Sequence, residues 1–204
     1  NQFRPDSERF DWLNRFTTPS LSDNAIMSLL GEDETLWVGT YAGGLNKYNL
    51  KTKEIRTIRA SQSPQRALAS DGITSILRAS TGHLIVGTYQ GGLSVFEPGS
   101  QNATVYLHDP SNRTSLSSNN VLAVLEDSRG AIWVGTESGL NHLDLKTRRF
   151  QRYYAERGNV SSLSSNMVWS LHEDRTGNLW LGTNGGGLNL WQKHNLETNT
   201  PQFE

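Results

Sequence analysis

One short block recurs four times along this chain, and the recurrence limits the fold more than any other feature. The copies are Leu36-Trp37-Val38-Gly39-Thr40, Leu84-Ile85-Val86-Gly87-Thr88, Ile132-Trp133-Val134-Gly135-Thr136 and Leu179-Trp180-Leu181-Gly182-Thr183. Their glycines are spaced 48, 48 and 47 residues apart. A glycine turn follows each block: Tyr41 to Leu45, Tyr89 to Leu93, Glu137 to Leu140 and Asn184 to Leu188. A short apolar run precedes each: Ile26 to Leu30, Ile73 to Leu77, Val121 to Leu125 and Val168 to Leu171. Gly82, Gly130 and Gly177 mark hairpin connections in three copies, while the first passes through Glu32-Asp33-Glu34.

Within a unit the elements read as strands. Consecutive apolar residues, as in Val121 to Leu125, suit a first strand buried on both faces. The small residues at its middle, Ser28, Ser75, Ala123 and Ser170, suit crowding near a central axis. The Trp block pairs back across the hairpin, and the glycine turn leads into a third strand at Leu45, Leu93, Leu140 and Leu188. A weaker fourth follows at Ile55–Ile58, Thr104–Leu107 and Phe150–Tyr154. Four antiparallel strands over roughly 40–50 residues are the dimensions of a β-propeller blade. No segment shows a helical period. The expected fold is all-β, a propeller of about four four-stranded antiparallel blades. Residues 1–19 form an N-terminal extension or cap strand, and 20–192 hold the four units (about 20–68, 69–115, 116–162 and 163–192). Residues 193–204 form a tail leading toward a further repeat.

Composition narrows the function classes. Nineteen Lys and Arg against twenty Asp and Glu leave a formal net charge of −1, without the basic footprint of a nucleic-acid binder or of a partner for anionic membranes. Six each of Trp, Tyr and Phe argue for a folded chain although hydrophobic residues are only 35%. Cysteine is absent, which removes disulfides, zinc thiolates and thiol nucleophiles.

The residues capable of chemistry read as structural. Asp127 and Asp174 recur beside hairpin glycines, where a carboxylate accepts backbone N–H bonds as an Asx turn. The five His show no repeated spacing, so no metal site and no cofactor is expected. Gly91-Gly92 and Gly185-Gly186-Gly187 precede strands rather than helices, which fails the phosphate-loop context. There is no Gly-x-Ser-x-Gly elbow. Trp37, Trp133 and Trp180 read as core, and Lys146, Arg148, Arg149 and Arg152 as a charged outer edge. No catalytic residue emerges.

The unit closely resembles the two-component regulator propeller repeat, best in Asp127 to Thr136 and Asp174 to Thr183. Ala79 and Ile85 depart from the pattern in the second unit. The resemblance spans roughly residues 20–192. It implies part of a seven-bladed propeller in the periplasmic sensor region of a membrane-anchored bacterial receptor, ending in a histidine kinase or diguanylate cyclase. The expected role is non-catalytic sensing of a small molecule, a saccharide among the options, or of a periplasmic protein. A carbohydrate-active propeller enzyme and a purely structural interaction module are the alternatives.

The turn between strands two and three lies at the same end of a blade as the lead-in to strand one. Tyr41, Tyr89, Glu137 and Asn184 therefore share a rim with Asn120 and Asn166, and these tips differ while the frame repeats. They are the expected ligand-binding residues. Four blades also leave two apolar ends, expected at Ile26, Leu29, Leu36 and Trp37 and at Val168, Leu171 and Trp180. A homodimer completing the ring is one way to cover them.

Overall fold

The computed structural model describes residues 2–61, 68–198 and 201–204. Residue 1, residues 62–67 and residues 199–200 lie outside the description, and with them parts of the expected N-terminal extension, first unit and tail. The chain opens with an antiparallel hairpin of β1 (Gln2–Arg4) and β2 (Arg9–Asp11). The first blade is β3 (Ile26–Glu32), β4 (Thr35–Thr40), β5 (Leu45–Asn49) and β6 (Ile55–Ile58). The second is β7 (Ile73–Arg78), β8 (Leu84–Thr88), β9 (Leu93–Phe96) and β10 (Ala103–Tyr106). The third is β11 (Val121–Glu126), β12 (Ile132–Thr136), β13 (Gly139–Asp144) and β14 (Arg149–Tyr153). A three-stranded sheet of β15 (Val168–Glu173), β16 (Leu179–Thr183) and β17 (Gly187–Trp191) forms the fourth. All four meander in antiparallel order, and β3, β7, β11 and β15 pack side by side along the inner edge. This is the expected all-β propeller arc.

The core lies between blades rather than within them. Trp37, Leu45, Ile73, Ile76 and Val86 fill the first junction; Ile85, Leu93, Val121, Val134 and Phe150 the second; Trp133, Leu140, Val168, Leu181 and Trp191 the third. The block glycine makes each junction possible. A Cβ on Gly39 would fall 2.6 Å from Ile73 Cγ2, one on Gly87 2.6 Å from Val121 Cγ1, and one on Gly135 2.9 Å from Val168 Cγ1. The first β-branched residue of each following blade is seated on that bare backbone. At the third junction Trp191 packs with ring centroids 4.9 Å from Tyr153 and 5.4 Å from Trp133, edge-on arrangements worth about 0.5–1.5 kcal/mol each beyond area burial.

Several details differ from expectation. The inner strands are not sealed on both faces: Thr74, Ser75 and Leu77 of β7 and Leu122 to Leu125 of β11 are only partly buried. Each inner strand also carries a β-bulge, at Met27, Thr74, Leu122 and Trp169, which places Ser28, Ser75, Ala123 and Ser170 opposite the block glycines. The tail contains a short helix, α1 (Lys193–Glu197), beyond which Glu204 exchanges two backbone hydrogen bonds with Leu190 at the outer-strand position of the fourth blade.

The apolar ends also need correcting. Trp37 faces the second blade, and Val168 and Leu171 face the third, because side chains alternate between neighbours along a strand. The leading face is Ile26, Leu29 and Leu36. On the trailing face stand Trp180 and Leu188. Equivalent positions give the contrast directly: Leu45, Leu93 and Leu140 are 0% exposed, and Leu188 is 61% exposed. At the other end Ile73, Val121 and Val168 are 0% exposed, and Ile26 is 40% exposed.

Candidate functional site

The rim is built from the repeat's polar residues. In each block the Thr hydroxyl donates to a carbonyl across the glycine turn: Thr40 to Gly44, Thr88 to Gly92, Thr136 to Gly139 and Thr183 to Gly187, at 2.8 to 3.0 Å. One residue later the backbone N–H ties the turn to the lead-in of its own blade. Tyr41 donates to Ala25 O, Tyr89 to Gly72 O, Glu137 to Asn120 O and Asn184 to Met167 O. A second backbone bond reaches the next blade, from Gly44 to Asp71 O, Gly92 to Asn119 O and Gly139 to Asn166 O. Two glycines serve opposite needs here. Gly92 holds φ +68°, whereas Gly91 leaves room that a Cβ would lose against Ser70 and Thr88.

The expected site residues occupy these turns. Tyr41, Tyr89, Glu137 and Asn184 stand at equivalent positions on one rim. A Cβ on Gly72 would lie 3.0 Å from Tyr41 O and 3.3 Å from Tyr89 Cβ, so the first two turns meet over a bare glycine with both tyrosines exposed. Asn120 joins the second turn to the third: its Oδ1 accepts from Gln90 N at 2.8 Å, and its Nδ2 donates to the Glu137 carboxylate. The Asn184 amide reaches Met167 Sδ at 3.2 Å. Asn166 is directed elsewhere, its Oδ1 accepting from Ala155 N at 2.7 Å beyond β14. Asn119 and Asp71 cap His108 N and Ala60 N in the same way. Asn120 aligns with Met167, not with Asn166.

Other residues on the rim lie outside the expected binders. Asp23 supports the first turn through Ala42 N, and the N–H of Ala25 helps hold its carboxyl below the usual range. Trp169, on the fourth bulge, presents an exposed indole. The bulge has no local sequence signal, and Trp169 falls outside the repeated Trp position, which is why composition alone did not separate it from the core.

The recurring carboxylates sit at the opposite end and are committed to structure. Asp127 accepts from Arg129 N and Ala131 N as an Asx turn, and its Oδ2 also accepts from Trp133 Nε1 at 2.9 Å. Asp174 repeats the pattern with Trp180 at 2.9 Å, and Glu32 takes the same place for Trp37 at 2.6 Å. The second unit lacks both partners, with Ala79 and Ile85, so acid and indole are lost together. Burial alone would raise the Asp127 carboxyl; the Arg129 and Trp133 hydrogen bonds outweigh it and hold the group below its usual range. Asp174 is also lowered, first by the Thr176 hydroxyl and then by the Trp180 indole. Among the described residues no cluster of three or more His, Asp or Glu could hold a metal ion.

The family model for the two component regulator propeller matches residues 115–138 and 162–185. No curated protein matches the chain. Among solved structures, the extracellular domain assigned to a hybrid two component system of B. thetaiotaomicron superposes with a TM-score of 0.75 at 23% identity. That match covers 90% of this chain and 25% of the other, so the chain spans about a quarter of its length. A catalytically inactive virginiamycin B lyase from Staphylococcus aureus, solved with quinupristin, gives a TM-score of 0.62 at 11% identity, covering 89% of this chain and 55% of that one. The computationally designed Ika4 protein gives 0.56 at 18% identity, covering 84% and 94%. The two family matches fall on the third and fourth of four structurally equivalent units, each with its block glycine, turn threonine and lead-in in the same place. Residues 115–138 and 162–185 thus match two-component regulator propeller repeats, within a chain whose fold is an arc of a β-propeller.

Proposed function

We propose that this propeller arc is the recognition region of a bacterial signalling receptor, on the extracytoplasmic side of a membrane-anchored parent, and performs no chemistry itself. The observation that carries the reading is the division of labour between the two ends of each blade. At one end the recurring carboxylates are consumed by turns and Trp indoles. At the other a repeated frame presents tips that differ from blade to blade: Tyr41, Tyr89, Glu137 and Asn184. Exposed phenol rings offer stacking faces, and Glu137, Asn120 and Asn184 offer acceptors and donors beside them, a combination suited to a small polar ligand, a saccharide among them, or to a loop of a periplasmic protein. The output, histidine kinase or diguanylate cyclase, belongs to the parent. The match to the extracellular domain of a hybrid two component system supports the sensory assignment by fold.

The test is a binding screen of small saccharides and periplasmic proteins on the chain, repeated with Tyr41, Tyr89, Glu137 and Asn184 all replaced by Ala. Binding that disappears while the circular dichroism spectrum stays unchanged supports the rim. Binding retained by the quadruple variant moves recognition to another surface.

A further inference from the structure

The N-terminal hairpin has the geometry of half a blade. In β1–β2 the pair Phe3 and Phe10 stands in register where β13–β14 has Leu143 and Phe150 and β5–β6 has Tyr48 and Ile55. The connecting turns carry a left-handed residue at one shared position: Glu8 at φ 51°, Lys53 at φ 63° and Arg148 at φ 58°. None of the three is glycine, so the same strained turn is built three times. After the hairpin, Asn24 Oδ1 accepts from Arg15 N at 2.8 Å, as Asp71 does from Ala60 N, Asn119 from His108 N and Asn166 from Ala155 N. In sequence, Asn1 falls where Asn46, Asn141 and Asn189 stand. Residues 2–16 thus reproduce strands three and four of a unit, together with the clasp that docks such strands beside the next blade.

What this half-blade lacks is its inner pair. Among the described residues β1 pairs only with β2, leaving its other edge open. Phe10 is 55% exposed, whereas its counterpart Phe150 is 3% exposed in a cluster with its own sheet's Ile132 and Leu143 and with the blade before it. The leading face of the first blade, Ile26 and Leu29, is exposed as well. The three complete junctions define what fits there: a block strand whose bare glycine receives the first β-branched residue of the following blade, as Gly39 receives Ile73. A second copy of this chain does not fit, because its fourth blade brings its own third strand, β17, into the position β1 already fills.

We infer that residues 2–16 are the outer half of a composite blade, completed by a two-stranded hairpin of the repeat's own inner type that adds to the β1 edge. Its block glycine seats on Ile26, and its backbone continues the β1–β2 sheet by edge addition. The partner is defined by that chemistry: an apolar inner strand followed by an aromatic-x-Gly-Thr strand.

The test extends the full chain with a copy of residues 116–140 fused directly before Asn1, the junction that the shared register dictates. Hydrogen exchange of the β1 amides and of Ile26 to Leu30 should slow at least tenfold relative to the unextended chain. The same extension carrying Gly135→Val in its copied segment should lose that protection, because the valine occupies the seat of Ile26. A second extension, copying residues 69–93, guards against a prefix that fails to fold. Unchanged β1 exchange in both extended chains overturns the inference, as does equal protection from the Gly135→Val prefix. An unextended chain that sediments as a dimer with β1 already protected overturns it too, since a second copy is then the occupant.

Discussion

At the scale of single residues, the repeat's signature divides into parts with separate duties. The acid orients the indole, the glycine admits the next blade, and the threonine closes the turn. The pairing of Asp127 with Trp133 makes a pH prediction. A carboxyl held below its ordinary range stabilises the fold fully above the unfolded value of about 3.9, and that contribution is lost as the pH falls through it toward the folded value. Urea midpoints should therefore drop between about pH 5 and pH 2. Asp127→Asn should be less stable at pH 7, by about 1–3 kcal/mol, with a flatter acid slope; an unchanged slope would assign the acid sensitivity to other carboxylates. The second unit supplies another test. Elsewhere a lead-in serine and a third-strand asparagine bond reciprocally: Ser22 with Asn46, Ser117 with Asn141 and Ser164 with Asn189. Ala69 and Ser94 stand in their place, and among the described residues the buried Ser94 Oγ has no partner. Ala69→Ser with Ser94→Asn should stabilise the chain by about 1 kcal/mol, more than the two single changes summed, in a double-mutant cycle of thermal midpoints.

At the scale of elements, strands and blades were legible because a period of 47 to 48 residues repeats each signal three or four times. What escaped was set by neighbours in space. The bulges at Met27, Thr74, Leu122 and Trp169 have no common residue type, and α1 is too short to carry a period. Rim placement of Tyr41, Tyr89, Glu137 and Asn184 was readable from meander topology. The capping role of Asn166, and its mismatch with Asn120, was not, since two adjacent asparagines at 119 and 120 give no hint which one turns outward. The same dependence on neighbours yields a paired prediction. Gly135→Ala drives a Cβ to 2.8 Å from Val168 O, backbone that cannot rotate away, and should lower stability by about 1–3 kcal/mol. Gly182→Ala meets first the Ser170 Oγ, which can change rotamer, and should be nearly neutral. Similar losses at both sites, read from urea midpoints, would mean that something also packs on Gly182. Trp133→Ala should cost roughly 3–5 kcal/mol and Trp180→Ala distinctly less, because only the former is closed in by a following blade.

At the scale of the whole molecule, four blades form three sealed junctions and two open ends, so otherwise equivalent positions carry unequal energies. Leu140 and Leu188 show this most directly: each lies in the third strand of its blade opposite the block glycine, Leu140 with Tyr153 of β14 on its other side. Leu140 is enclosed by Leu163, Val168 and Leu181 of the unit that follows, whereas the outward face of Leu188 meets solvent. Introducing a carboxylate therefore compares a sealed junction with an open end. Leu140→Glu buries a charge without a counterion and should cost at least about 4 kcal/mol, enough to unfold a marginal domain. Leu188→Glu should fall within about 0.5 kcal/mol of the parent chain, and should lower its tendency to associate by breaking the apolar trailing face. Thermal melts at several protein concentrations, with sedimentation of the same samples, read both effects. If the melts instead show Leu188→Glu to be as costly as Leu140→Glu, the trailing face is sealed in solution. The arc then closes on itself or on a second copy, and sedimented mass distinguishes those two: near 22.7 kDa for the closed monomer and about twice that for the pair.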